Sequence, residues 1–267
     1  MIREPVVEGQ FYPHNDAELR KLIKGFGLKN GPKISARGII LPHAGYIYSG
    51  RVAATTVSKV LPRPTILILG PNHTGLGPDF SLWARGSWRM PSGLIEIDEA
   101  LAEQILSKGN YIKEDDLAHK NEHSIEVELP IIHHFFGDFK FVPISCKISD
   151  PQIYEEVSSQ IFEAIKNKKN DILFVASTDL THYEPESCAR RKDRAVIEAI
   201  VNLEEQDLLK KITALEISMC GAAPVAIFIS CLKKLGARKS QVALYETSAA
   251  VSGDLSSVVG YVGMIVK

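Results

Sequence analysis

Three short apolar runs in this sequence end on a histidine. IILPHAGY places His43 just after residues 39–41, TILILGPNHTG places His73 just after residues 66–69, and ILFVASTDLTHY places Asp179 and His182 just after residues 172–176. Imidazole is the commonest metal ligand among side chains and changes charge closest to neutral pH, so these residue types suit metal binding or proton transfer. Taken alone, one such histidine is more often a hydrogen-bonded structural residue. Recurrence after three apolar runs is what points to a shared site.

The runs read as buried strands. His43 and His73 each follow a β-branched or leucine-rich run that gives way to Pro and Gly, where the backbone can turn sharply. In an open α/β sheet the carboxyl ends of neighbouring strands share one edge, and ligands bind in the crevice there. Asp179 and His182 add a carboxylate and a base three residues apart, where Asp179 either orients a histidine or ligates a metal. The same Ser177, Thr178 and Thr181 neighbourhood also fits a simple turn capping the next helix.

Two further segments carry candidate chemistry. Cys220, in MCGAAPVAI, stands at the start of an apolar helix, where the positive end of the helix dipole favours a thiolate. Cys146, Cys188 and Cys231 read as ordinary thiols. In NEHSIEVELP a helix is expected from residue 122, with His123 and Glu126 on one face by their i, i+3 spacing. His123 is then a candidate base at the pocket rim, and Glu122 and Glu128 suit a helix amino terminus. His133 and His134 read as surface residues; His14 and His119 have no evident partner. GPNHTGLGP lacks the Lys-Ser/Thr of a phosphate loop and is not G-x-G-x-x-G, so it is poor evidence for a nucleotide.

Around these residues, apolar runs alternate with helical stripes. Helices are predicted over 16–26, 50–60, 98–108, 122–136, 151–167, within 186–215 and over 221–235. Strands are predicted over 38–41, 65–69, 80–84, 94–97, 139–144, 172–176, 242–247 and within 257–266. Such alternation predicts an α/β fold, a largely parallel or mixed central sheet flanked by helices. Asp150 before Pro151, and Asp98, are the predicted helix caps. Without a long Gly/Ser/Pro-rich linker, residues 1–267 read as a single domain.

Composition narrows the function class. Of 267 residues, 45% are hydrophobic and 24% charged, which is ordinary for a globular chain. A formal net charge of -1 offers no basic field for nucleic acid. The amino terminus lacks a basic-then-apolar signal layout and no apolar run is long enough to span a bilayer, so a cytoplasmic protein with no membrane partner is expected. The four cysteines contain no C-x-x-C pair and are expected to be reduced.

Taken together and in order, LPHAGYIYSG, GPNHTG, EHSIEVELP, STDLTHY and MCGAAP resemble the Memo family, whose archaeal and bacterial members are called AmmeMemoRadiSam system protein B. The resemblance runs from GQFYP to the final strand. It implies a single α/β domain similar to the class III extradiol dioxygenases, non-haem iron enzymes with two histidines and a carboxylate on the metal. By motif it makes His43 and His73 metal ligands, with His182 as the acid/base histidine beside Asp179. Cys220 stands where those enzymes have glutamate. A thiolate is softer and more easily oxidised, so the implied ion is iron(II) or copper(I), with zinc a further fit. The resemblance also implies a small molecule or peptide in the cleft, and a functional link to a radical-SAM enzyme and an AMMECR1-like protein.

Overall fold

A computed structural model describes residues 1–28 and 31–267. Its centre is a mixed nine-stranded sheet. Four strands run parallel in the spatial order Gly38–Leu41, Ile172–Ser177, Thr65–Pro71 and Lys140–Cys146. Val258–Val266 extends the sheet antiparallel beside Gly38–Leu41, and Phe80–Leu82 does so beside Lys140–Cys146. The parallel strands are continuous apolar runs, as strands covered on both faces must be. Ile39, Ile40, Leu41, Leu67 and Val175 are all fully buried. Helix Gly50–Ser58 packs on Gly38–Leu41 and Val258–Val266, and helix Ala222–Lys234 packs on Thr65–Pro71 and Ile172–Ser177. Among the described residues no helix is long and apolar enough to cross a membrane.

Register decides where the parallel strands stop. Leu41 lies opposite Ser177, Leu69 opposite Ala176, and Pro71 opposite Cys146. The carboxyl ends are therefore level, and the residues after each strand emerge side by side.

Helix starts follow the predicted caps. The Asp150 carboxylate accepts from the Gln152 N–H at 2.8 Å with Pro151 in the first turn, and Asp98 accepts from the Leu101 N–H at 3.0 Å. Each such cap is worth about 1 kcal/mol.

One predicted helix starts late. The helix expected over 122–136 begins at Glu128, and residues 121–127 form turns. Pro130 explains the start: proline lacks an N–H and fits only the first turn, whereas a helix from 122 would bury it in the interior. The short strands Ile2–Arg3, Ser87–Met90, Lys113–Glu114 and His182–Glu184 lie outside the predicted set; two residues, as in the first and third, carry no period.

His119 has a partner after all, but in the core. Its Nε2 donates to the Ser81 carbonyl at 2.8 Å, and its ring meets Trp83 and Trp88 edge-on. Burial holds its pKa down at about 4, against the 6.5 of an exposed histidine. Between those values the unfolded chain binds the extra proton, so stability falls as pH drops from 6.5 to 4. The loss from this residue is on the order of 3 kcal/mol. Urea unfolding across that window checks it: His119→Gln, which keeps a donor but does not titrate, will show a flatter decline than the wild type.

Candidate metal centre

His43 follows the Gly38–Leu41 strand after a single proline. Its backbone N–H donates to Asp179 Oδ1 at 3.0 Å, which ties two strand ends together. Its Nδ1 lies 2.7 Å from Ser177 Oγ. That hydroxyl also lies 2.9 Å from the Ser124 carbonyl and 2.6 Å from Glu128 Oε1. One hydroxyl proton cannot serve both acceptors. Burial pushes Glu128 far above the usual carboxylate range; the Ser177 proton goes to one of these two oxygens, so the hydroxyl oxygen is left to accept. His43 Nδ1–H then donates to it, and Nε2 is left as the acceptor. Burial first, and the neighbouring His123, His73 and His182 next, keep His43 neutral by lowering its pKa.

His73 is fixed by a carboxylate. Glu122 accepts from His73 Nδ1 at 2.9 Å and from the His73 backbone N–H at 2.6 Å. Burial opposes charge on both partners, but their mutual hydrogen bond and attraction win, raising His73 and lowering Glu122 to about 2. Glu122 reaches His73 because Gly70 lets the chains touch: a Cβ there would stand 2.6 Å from Ser124 Oγ and from Ile125 Cγ1. Ser124 Oγ in turn donates to the Pro71 carbonyl at 2.9 Å.

His123 lies beside them, its ring stacked on His73 with centroids 4.8 Å apart and 5.5 Å from that of His43. Burial lowers its pKa. Each of His43, His73 and His123 offers a ring nitrogen within 4.8 Å of the other two. Atoms bonded to one metal at 2.0–2.3 Å are spaced in that range.

Cys220 approaches from the turn that precedes helix Ala222–Lys234. Its Sγ lies 3.4 Å from His43 Nε2 and accepts from the Asp179 N–H at 3.2 Å. Gly221 permits the approach, since a Cβ there would sit 2.5 Å from the Ser177 carbonyl oxygen. The expected thiolate activation by the helix start is reversed: burial first, then the Asp179 charge, push the thiol up. His182 is oriented by Ser218, not by Asp179; its Nδ1 donates to the Ser218 carbonyl at 2.8 Å and its N–H to Ser218 Oγ at 2.8 Å. Asp179 is spent on the His43 N–H, and burial raises its pKa to about 7.

His43, His73, His123, Asp179, His182 and Cys220 thus line one cleft of about 490 Å³, walled by Phe11, Tyr183 and Tyr261. Glu126 does not join them. Its carboxylate points away into a buried pair with Arg3. Glu122 and Glu128, expected only to suit a helix start, are the hydrogen-bond partners behind His73 and Ser177. Ser218 went unnoticed, since nothing in its sequence neighbourhood marks a backbone carbonyl as a partner. A larger cleft of about 920 Å³ lies between helices Pro151–Ile165, Glu205–Ala214 and Ala222–Lys234, but no histidine or cysteine is among its described lining residues.

The pattern of the family described as Memo-like protein matches residues 3–265. This chain belongs to the Memo family. A MEMO1 family protein of Methanopyrus kandleri is 41% identical over 282 residues, covering 100% of this chain and 99% of the relative. One from Thermotoga neapolitana is 39% identical, with 100% of both chains covered. Among solved structures, an uncharacterized protein of Escherichia coli K12 superposes with a TM-score of 0.57 at 15% identity, over 85% of this chain and 98% of that one. That likeness concerns the fold alone.

The raised Cys220 thiol has a direct chemical consequence. In metal-free protein at pH 8, iodoacetamide will alkylate Cys220 about tenfold or more slowly than the same cysteine in the urea-unfolded chain, because only thiolate reacts. Site-resolved mass spectrometry of the alkylated peptides reads the ratio. Equal rates would show that burial does not hold the proton.

Proposed function

We propose that this Memo-family protein binds one transition-metal ion in the cleft, through His43, His73 and Cys220 with His123 beside them, and uses it in oxidoreductase chemistry. The observation that carries the reading is the clustering of three imidazoles within 4.8 Å, with Cys220 Sγ 3.4 Å from His43 Nε2. Hydrogen bonds at Nδ1 of His43 and His73 leave the Nε2 atoms as the metal-facing donors, the arrangement that second-sphere partners impose at metal sites. Imidazole with thiolate favours copper(I) or iron(II), and also accommodates zinc. When bound, such an ion supplies electron exchange and polarises an oxygen-bearing ligand.

The remaining side chains have separable tasks. With Nδ1–H held by Ser218, His182 presents an Nε2 lone pair as a proton acceptor. Asp179, with a pKa raised to about 7, holds or releases a proton near neutrality. Phe11, Tyr183 and Tyr261 provide an apolar wall for a small molecule or peptide. Family membership supports placing the protein with a radical-SAM enzyme and an AMMECR1-like protein in one pathway.

Anaerobic loading followed by elemental analysis tests the ligands. Reduced protein will hold about one iron(II) or copper(I) per chain, as a single mononuclear site requires. His43→Ala and Cys220→Ser will lose it and His133→Ala will not. Equal metal content in all three variants would reject the assignment. His182→Ala will keep the metal and lose dioxygen-dependent turnover. A cleft that binds peptides or small anions competitively yet consumes no oxygen would instead make this a binding module, a reading that the 79% exposed Tyr183 at its mouth also supports.

A further inference from the structure

Residues 121–127 carry Glu122 to the back of His73 and His123 into the cleft, yet belong to no helix or strand. Their hold comes from the amino-terminal segment. Arg3, only 3% exposed, donates from Nη1 to Glu126 at 2.7 Å, from Nη2 to the Glu122 carbonyl at 2.7 Å and from Nε to the His119 carbonyl at 2.8 Å. Its guanidinium lies 4.1 Å from the centroid of Trp88. Glu126, fully buried, also accepts from the Val6 N–H at 2.9 Å, the Val7 N–H at 3.1 Å and the Tyr12 hydroxyl at 2.8 Å. Phe11 of the same segment meets His123 edge-on at 5.1 Å.

We propose that the buried Arg3–Glu126 pair is a positioning device for the metal centre, setting the turn that aims Glu122 at His73 and His123 into the cleft. A buried ion pair adds little stability over an apolar pair of equal volume, so its value lies in fixing geometry. Here the guanidinium bonds at positions 119, 122 and 126, which bracket Glu122 and His123. A planar fork makes three such bonds in fixed directions, which a lysine ammonium cannot reproduce. His182 takes its orientation from Ser218 instead, whereas Ser177, which holds His43, itself bonds the Ser124 carbonyl of this turn. Loss of the pair will therefore disturb His73 and His123 most and spare His182.

This inference rests on the metal reading for its purpose but not for its test. In metal-free protein, ring ¹⁵N signals of His73 and His123 will shift or broaden in Glu126→Gln and Arg3→Lys, while that of His182 stays in place. Tyr12→Phe, a milder lesion, will show the same selectivity to a smaller degree and keeps the test open if the charge variants fold poorly. Cobalt(II) will bind about tenfold or more weakly to the folded variants, as losses of outer partners at metal sites do. The cobalt ligand-field spectrum will move toward that of His123→Ala. Leu208→Ala, in a helix remote from the pair, will lower the melting temperature and leave cobalt binding unchanged. Unaltered His73 and His123 signals in folded variants, or a shift of His182 equal to theirs, would overturn the proposal. Wild-type protein that takes up no cobalt would defeat the metal reading, and the ring signals would still decide the positioning.

Discussion

The level ending of four parallel strands is the constraint on which everything else depends. Ladder register places Leu41 beside Ser177 and Pro71 beside Cys146, so segments far apart in sequence leave the sheet at one edge. Backbone hydrogen bonds and a dry apolar core hold that edge, and neither requires a ligand. A rigid platform can then carry polar side chains that would be costly to bury singly. The cost is offset by mutual partnership: Asp179 with the His43 N–H, Glu122 with His73, Ser177 with His43.

Those partnerships also set the chemistry. Nδ1 of His43, His73 and His182 is occupied by a hydroxyl, a carboxylate and a carbonyl in turn, three different partners with one consequence for tautomer. Glu122 and Glu128 show how environment divides identical side chains. An imidazole neighbour holds the first well below the usual carboxylate range, and burial without a cationic partner pushes the second well above it. The result is a cleft with acceptors facing inward and protons held behind them.

Much of this was legible in the residue pattern. Apolar runs ending in Pro-His, Pro-Asn-His and Asp-Leu-Thr-His indicated both the parallel strands and their convergent ends, because strand burial and turn chemistry are local properties. The identity of the partners was not legible. Spacing pairs Glu126 with His123 and assigns Glu122 to a helix start, and only tertiary contacts, with an arginine more than a hundred residues away and with His73, exchange those roles. Pro130 does carry the information that the helix starts at Glu128, because it fits only a helix's first turn. The thiol of Cys220 departs from the expected activation for a related reason: the helix start is real, but desolvation outweighs a dipole in a buried site.

The central claim is that imidazoles and Cys220 together hold one ion. X-ray absorption on anaerobically loaded protein tests it most directly, because sulfur and imidazole scatter at distinguishable distances. The account predicts imidazole nitrogens at about 2.0–2.1 Å and one sulfur at about 2.3 Å, with the sulfur lost in Cys220→Ser. A shell of light atoms alone, without sulfur or the multiple scattering of imidazole rings, would contradict it.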